Sequence, residues 1–317
     1  MTDEPIVVPD PPGSADNQVL PFRIEGQPVR GRAVRLGTAA DRIIRAHDYP
    51  DPVAGVVGEL AALSCLLGSM LKVDDGILTI QAKGSGPLSL LVGDFLAPGT
   101  VRGFAQVDRE RLKTLGKRPS LQGLMGKGHL ALTLDQGPQT DRYQGIVALE
   151  GGTLAECAGT YFAQSEQLPT RILLHAGQDP VSGHWRAGGI MVQDLPTGGG
   201  TPEDDDATET GTRADESVDS PDLEPFNRAT ALMMSTRADE LLDPGMGLPD
   251  LLFRLFHEDG VRVFDAQPVA FGCRCSRDKI ASVLARYSTE ELSDMVEDDG
   301  LITVTCQFCN TDYRFEP

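Results

Sequence analysis

From Leu20 the chain reads as extended, with Phe22 and Ile24, then Val29, Ala33 and Val34 set among arginines. Residues 41–47 read as a short helix. Residues 52–71 read as a long one: proline at the start suits a first turn, and Leu60, Leu63, Leu67 and Leu71 recur at helical spacing. Strands are expected next at 76–82, 88–93 and 100–107, separated by glycine- and proline-rich turns such as Lys83-Gly84-Ser85-Gly86-Pro87. Residues 128–134 and 143–149 predict another strand pair. Thr153 suits the cap of a helix to residue 164, and 170–175 and 188–192 close the region as strands. Strands and helices come in mixed runs without regular alternation, which predicts an α+β fold rather than a doubly wound sheet.

The pattern then breaks. Between Glu203 and Glu224 there are ten acids against one arginine. The stretch 197–222 is read as an acidic low-complexity insertion, too poor in apolar groups to order itself. Two amphipathic segments follow. Residues 225–242 carry Phe226, Ala229, Leu232, Met233, Leu241 and Leu242, and residues 248–257 carry Leu251, Leu252, Leu255 and Phe256. Helices this short need a surface to pack on.

Composition and charge narrow the function classes. The 317 residues carry a formal net charge of -19, which argues against nucleic acid as a partner. Residues 1–19, rich in Pro and Asp, read as a disordered tail with no targeting signal. No run is expected to cross a membrane, because 52–71 contains Glu59 and reads as a core helix. A cytoplasmic location follows as an expectation. In a reducing compartment clustered cysteines bind metal or do redox chemistry more often than they form structural disulfides.

Of six cysteines, Cys65 and Cys157 fall within helices and read as small buried hydrophobes. The other four read Cys273-Arg274-Cys275 and, after thirty intervening residues, Cys306-Gln307-Phe308-Cys309. Two close cysteine pairs at this separation are a strong signal for one Zn²⁺ per chain in a tetrahedral thiolate site. Between them Ser276 suits the cap of a helix to Arg286, Ser288 or Thr289 the cap of a second, and 301–305 with 313–315 a hairpin carrying the second pair at its tip. The unit spans about 45 residues, near the lower limit for unaided folding. A structural zinc, contributing roughly 10–16 kcal/mol, would decide whether it is folded. The spacing leaves two readings open: a permanently closed structural site, or a zinc–thiolate switch whose ionised sulfurs react with peroxide or hypochlorous acid, lose the metal and melt the unit.

The residues also resemble a family. The runs RLFHEDGVRVFDAQPVAFGCRCSRDKI from Arg254 and EDDGLITVTCQFCNTDYRF from Glu297 are similar to the redox-regulated chaperone family called heat shock protein 33. So, in order, are GPLSLLV from Gly86, YQGIVAL from Tyr143, YFAQSEQLPTR from Tyr161 and GGIMVQDLP from Gly188. The resemblance covers residues 20–315 apart from the acidic insertion. It implies an ATP-independent holdase, inactive when reduced and zinc-bound, with Cys273, Cys275, Cys306 and Cys309 as ligands. It implies that oxidation joins Cys273 to Cys275 and Cys306 to Cys309, and that the zinc unit and preceding linker then unfold. The protein would dimerise and hold unfolding clients. The apolar faces carrying Phe226, Leu232, Met233, Leu251, Leu252, Leu255 and Phe256 are the candidate client surface, with methionines suited to unselective contacts.

The expected division is a tail at 1–19, an α+β chaperone domain at 20–196, the insertion at 197–222, a helical linker at 223–270 and the zinc domain at 271–317. Two rivals remain. Cys306 and Cys309 as a thiol–disulfide oxidoreductase pair would be expected to open a helix in a βαβ unit rather than end a strand. A static zinc ribbon binding nucleic acid would be expected to show a basic face, which Arg274, Arg277, Lys279, Arg286 and Arg314 do not supply against more numerous acids. Gly84-Ser85-Gly86 reads as a hairpin turn and not a phosphate loop. No catalytic site is expected.

Overall fold

The computed structural model describes residues 16–73, 75–116, 119–137, 140, 142–195 and 223–317, and the backbone of 6–8. The acidic insertion at 197–222 lies outside them. In chain order the first region holds β1 (Ile6–Val8), β2 (Gln18–Ile24), β3 (Val29–Leu36), α1 (Thr38–Arg45), α2 (Asp51–Gly68), β4 (Ile77–Gly84), β5 (Leu88–Leu96), β6 (Thr100–Val107), α3 (Arg109–Leu112) and α4 (Leu121–Met125). It continues with β7 (Gly128–Asp135), β8 (Tyr143–Ala148), α5 (Leu154–Tyr161), β9 (Thr170–Gln178) and β10 (Trp185–Asp194). Beyond the insertion come α6 (Glu224–Met234), α7 (Ala238–Leu241), α8 (Leu248–Phe256), β11 (Val261–Val263), β12 (Gln267–Pro268), β13 (Ala270–Cys273), α9 (Arg277–Leu284), α10 (Thr289–Asp294), β14 (Ile302–Thr305) and β15 (Asp312–Phe315).

Among the described residues one sheet runs β1-β13-β6-β5-β4-β7-β8 and a second runs β11-β2-β3-β10-β9, with β12 also on β2. The hairpin β14–β15 stands apart from both. The fold is α+β, as the unalternating order of elements predicts. Helix α2 packs on β5 and β6 of the first sheet and on β9 and β10 of the second. Its close fit needs Gly68, where a Cβ would fall 2.3 Å from the Phe95 ring. By length and composition α2 passes as a membrane span, against the expectation that no run qualifies. Its position explains this: thirteen of its eighteen residues are buried, and a helix covered on both sides reads as apolar nearly all round.

Glu59 sits partly buried on this helix with no hydrogen-bond partner among the described residues, and burial pushes its carboxyl up to about 7. The fold therefore favours the neutral acid. The unfolded chain ionises freely above its ordinary value near 4.5, so stability is lost as pH rises from there through 7. Glu59→Gln is expected to raise stability at pH 8 by up to about 3 kcal/mol, a ceiling set by the residual solvent contact, and to change little at pH 4. Urea titrations at the two pH values measure this; an equal effect at both would show that ionisation is not the cause.

The second sheet is covered on both faces, which is why β10 is buried at every position. Opposite α2, its Leu20, Phe22, Ile24, Ala33, Ile190 and Val192 pack on α6, α7 and α8. Phe22 stacks on Phe256 at 5.5 Å. Two sheet arginines tie the backbone of this helical layer. Arg35, fully buried, donates Nε to the Leu241 carbonyl at 2.7 Å and Nη1 to that of Met246, while Arg186 donates Nε to the Leu242 carbonyl at 2.7 Å.

Several expectations are corrected. Residues 1–19 are not wholly a tail: 6–8 form β1 against β13, and 18–19 begin β2. The β-branched run Ile6-Val7-Val8 suits a strand, Val19 is fully buried, and Asn17 Oδ1 accepts the N–H groups of Gly37 and Ala39 at the start of α1. The single helix expected at 225–242 is two. The Ser235 hydroxyl donates to the Leu232 carbonyl at 2.6 Å, and the N–H of Arg237 donates to the Glu240 carboxylate to open α7. The stretch 223–270, expected to be helical, also supplies β11 and β12 to the second sheet. The helix after Thr153 closes in one π turn, Phe162–Glu166, ending at Gln167 with φ 51°.

Candidate metal centre

Local sequence builds each half of the cysteine cluster. Residues Ala270 and Phe271 of β13 pair in parallel with Thr100 and Val101 of β6, and β1 pairs along the other side to Cys273. This ladder places Cys273, fully buried, at the end of β13, between β1 and β6 of the first sheet. Cys275 follows in the turn before α9, whose cap Ser276 accepts the N–H of Lys279 at 3.2 Å. The second pair sits at the tip of the β14–β15 hairpin. There the Cys306 N–H donates to the Thr311 carbonyl at 2.9 Å, and Asn310 closes the knuckle with φ 55°. A left-handed residue is needed for so tight a reversal, and asparagine tolerates it better than most.

The four sulfurs converge. All four Sγ atoms lie within 4.8 Å of one another, with Cys273–Cys306 at 3.7 Å and Cys275–Cys309 at 3.4 Å. Zn–S bonds of about 2.3 Å in a tetrahedron require sulfur–sulfur edges of about 3.8 Å. The donor set and its spacing therefore fit a zinc ion held by four thiolates. Packed this closely, the thiols compete for protons. The hydrogen bond between Cys273 and Cys306 pulls Cys273 down to about 4, with Arg102 adding to the effect, while Cys306 is pushed up by the same bond. Burial pushes Cys275 up to about 11. Four sulfurs this close ionise together only with a cation among them.

Polar groups surround the sulfurs. The Tyr313 hydroxyl donates to Cys275 Sγ at 3.1 Å, and the Thr311 hydroxyl lies 3.2 Å from Cys309 Sγ, placed to donate to a thiolate. Arg102 Nη1 approaches Cys273 Sγ at 3.7 Å. Such donors fix ligand orientation and offset thiolate charge. The unit that carries three of the four cysteines has little else to hold it. Its buried core is Leu284, Ile302 and Phe315, and α10 buries no residue.

The seven residues expected as a client surface are brought together on α6 and α8. Phe226, Met233, Leu251, Leu252 and Phe256 are buried against the second sheet, with Leu232 and Leu255 partly buried beside them. Cys65 and Cys157 are buried, as expected of core thiols, and neither belongs to the four-cysteine group. Sequence reasoning missed Asp94, Arg102 and the Arg35–Arg186 ties. A lone acid in the apolar strand Leu88–Leu96 was the available signal for the first.

A cluster of four cysteines where a two-sheet α+β body meets a small C-terminal unit defines an α+β protein with a candidate metal centre. The model of the Hsp33 protein family matches residues 17–316, and the chain belongs to that family. It is 44% identical over 322 residues to the 33 kDa chaperonin of Caulobacter vibrioides (strain NA1000 / CB15N), covering 100% of this chain and 99% of that one. It is 39% identical over 297 residues to the 33 kDa chaperonin of Ectopseudomonas mendocina (strain ymp), covering 93% and 90%. The crystal structure of the 33 kDa chaperonin from Thermotoga maritima shares the fold, with a TM-score of 0.74 over 95% of both chains at 23% identity.

Proposed function

We propose that this chain is an ATP-independent holdase of the cytoplasm, silent while Cys273, Cys275, Cys306 and Cys309 hold one Zn²⁺ and active after they are oxidised. The observation that carries this reading is the convergence of four sulfurs within 4.8 Å on a unit whose own core is three buried side chains. Bound zinc would keep the four sulfurs ionised and cross-link the two cysteine pairs. A thiolate attacking peroxide displaces hydroxide and becomes a sulfenic acid. A second thiolate attacks that sulfur and expels hydroxide, leaving a disulfide, so each disulfide reduces one peroxide. With Cys273–Cys275 and Cys306–Cys309 as the products, the sulfurs lose the charge that held the metal.

The linker and zinc domain, taken as 223–270 and 271–317, then follow. Loss of the unit after Cys273 frees β13 and, through β12 and β11, slackens the chain leading back to α8. Released from the second sheet, α6 and α8 offer Phe226, Leu232, Met233, Leu251, Leu252, Leu255 and Phe256, together with the sheet face beneath them, to unfolding proteins. Exposed apolar area of this kind also favours pairing of two oxidised chains into a homodimer. The net charge of -19 keeps such an exposed state soluble and offers nucleic acid no basic surface.

The test follows zinc and client together. Reduced chain is expected to contain one zinc and leave a denatured client to aggregate; after peroxide at raised temperature it is expected to release that zinc and suppress aggregation without ATP. Aggregation suppressed equally by the reduced, zinc-loaded chain would reject the switch, and insulin reduction by the reduced chain would favour an oxidoreductase.

A further inference from the structure

Each cysteine motif rests one of its intervening residues on the same feature of the first sheet. Arg274, between Cys273 and Cys275, donates Nη2 to Asp94 Oδ2 at 3.1 Å. Phe308, between Cys306 and Cys309, has its ring centroid 3.8 Å from Arg102 Cζ. Arg102 in turn donates Nε and Nη2 to Asp94 Oδ2 at 2.9 and 2.6 Å, and points Nη1 at Cys273 Sγ. The other oxygen of Asp94 accepts the Thr79 hydroxyl at 2.7 Å. Asp94 and Arg102 face each other across β5 and β6. A Cβ on neighbouring Gly93 would meet Leu60 and Ser64 of α2, so the pair lies on the opposite face, under the cysteine cluster. Phe104, two residues beyond Arg102, meets Phe308 edge-on at 5.1 Å.

We propose that the Asp94–Arg102 pair is the positioning device by which the sheet holds both cysteine motifs at metal-binding spacing, and so sets how tightly zinc is retained. The inference rests on the zinc reading above. Its physical basis is that one guanidinium serves three partners in fixed geometry. Its fork is held by a carboxylate only 5% exposed, its flat face carries the Phe308 ring, and its remaining nitrogen offsets charge on Cys273. Lysine has neither the fork nor the flat face. Both motifs meet at this pair, so weakening it loosens the two together. An outer-shell group of this kind is worth about 10–100-fold in metal affinity.

Full-length reduced chains carrying zinc are titrated with a competing chelator. Arg102→Met is expected to raise the zinc dissociation constant about 10–100-fold, and Arg102→Lys to recover only part of that loss. Phe308→Leu is expected to weaken binding less. Combined with Arg102→Met it should add little, since both remove one contact. With Co²⁺ in place of zinc, Arg102→Met is expected to shift the thiolate-to-metal charge-transfer band while the tetrahedral bands keep their intensity; simple unfolding would instead diminish both. Dissociation constants within about twofold of the wild type for Arg102→Met overturn the proposal. If that variant loses its sheet signal in circular dichroism, Phe308→Leu decides, since it leaves the ion pair intact, and unchanged affinity there overturns it. A wild-type chain without stoichiometric zinc removes the zinc reading itself, whereas tight binding by wild type and variants alike removes only this inference.

Discussion

Cys306→Ala is expected to strip protected structure from residues 277–317 while leaving β2–β10 intact. The hairpin β14–β15 and helices α9 and α10 share a core of Leu284, Ile302 and Phe315, flanked by half-buried neighbours such as Ile280 and Val304. Three buried side chains at about 1.5–3 kcal/mol each contribute less than the roughly 10–16 kcal/mol of a structural zinc. The capping box of Ser288 with Glu291 is solvent-exposed and adds little. The sheets draw on separate and far larger cores around α2 and under α6 and α8. Amide hydrogen exchange measures the outcome: protection at 302–305 and 312–315 should vanish in the variant and in chelator-treated wild type alike. Protection that persists after the metal is gone would show that the unit holds itself together, and the proposed switch would have no mechanical basis.

Phe256→Ala is expected to turn the chain into a holdase without oxidant. Phe256 is fully buried and stacks on Phe22, and truncating such a residue costs about 3–5 kcal/mol. Helix α8 has nine residues, too few to persist without its packing surface. The ion pair of Arg228 with Asp259 is partly exposed and screened by solvent, so it adds little to the docking of this layer. The reduced variant should therefore lose exchange protection at 248–256, retain one zinc and suppress client aggregation. Phe253→Ala serves as the control: Phe253 is 64% exposed on the same helix, and its loss should change docking by no more than about 0.5 kcal/mol. An undocked linker without client binding would show that α6–α8 do not cover the client surface.

The elements legible beforehand share one property: their signals are local. The stripe of Leu60, Leu63 and Leu67 marks α2, and Thr153 with Glu156 forms a capping box at the start of α5. The strands at 76–107 show as apolar runs between Gly/Pro turns because both flanks of each are defined within a few residues. Four of the strands missed depend on a distant partner. β1, β11, β12 and β13 are two to four residues long, and nothing in so short a run says that a sheet edge waits for it. The break at Ser235–Arg237 was missed because the flanking residues continue an apolar period that two short helices satisfy as well as one.

By itself the sequence determined the donor chemistry: four thiols in two close pairs, carried with capped helices and a hairpin near the lower size limit for unaided folding, because residue type and spacing are properties of the chain alone. Only the tertiary structure decided where that chemistry is anchored. Cys273 ends a strand of the first sheet, Arg274 and Phe308 reach one buried Asp94–Arg102 pair, and Arg35 and Arg186 tie the helical layer by its carbonyls. These contacts join residues as many as 211 positions apart, and no local periodicity encodes which of the chain's arginines meets which acid or carbonyl.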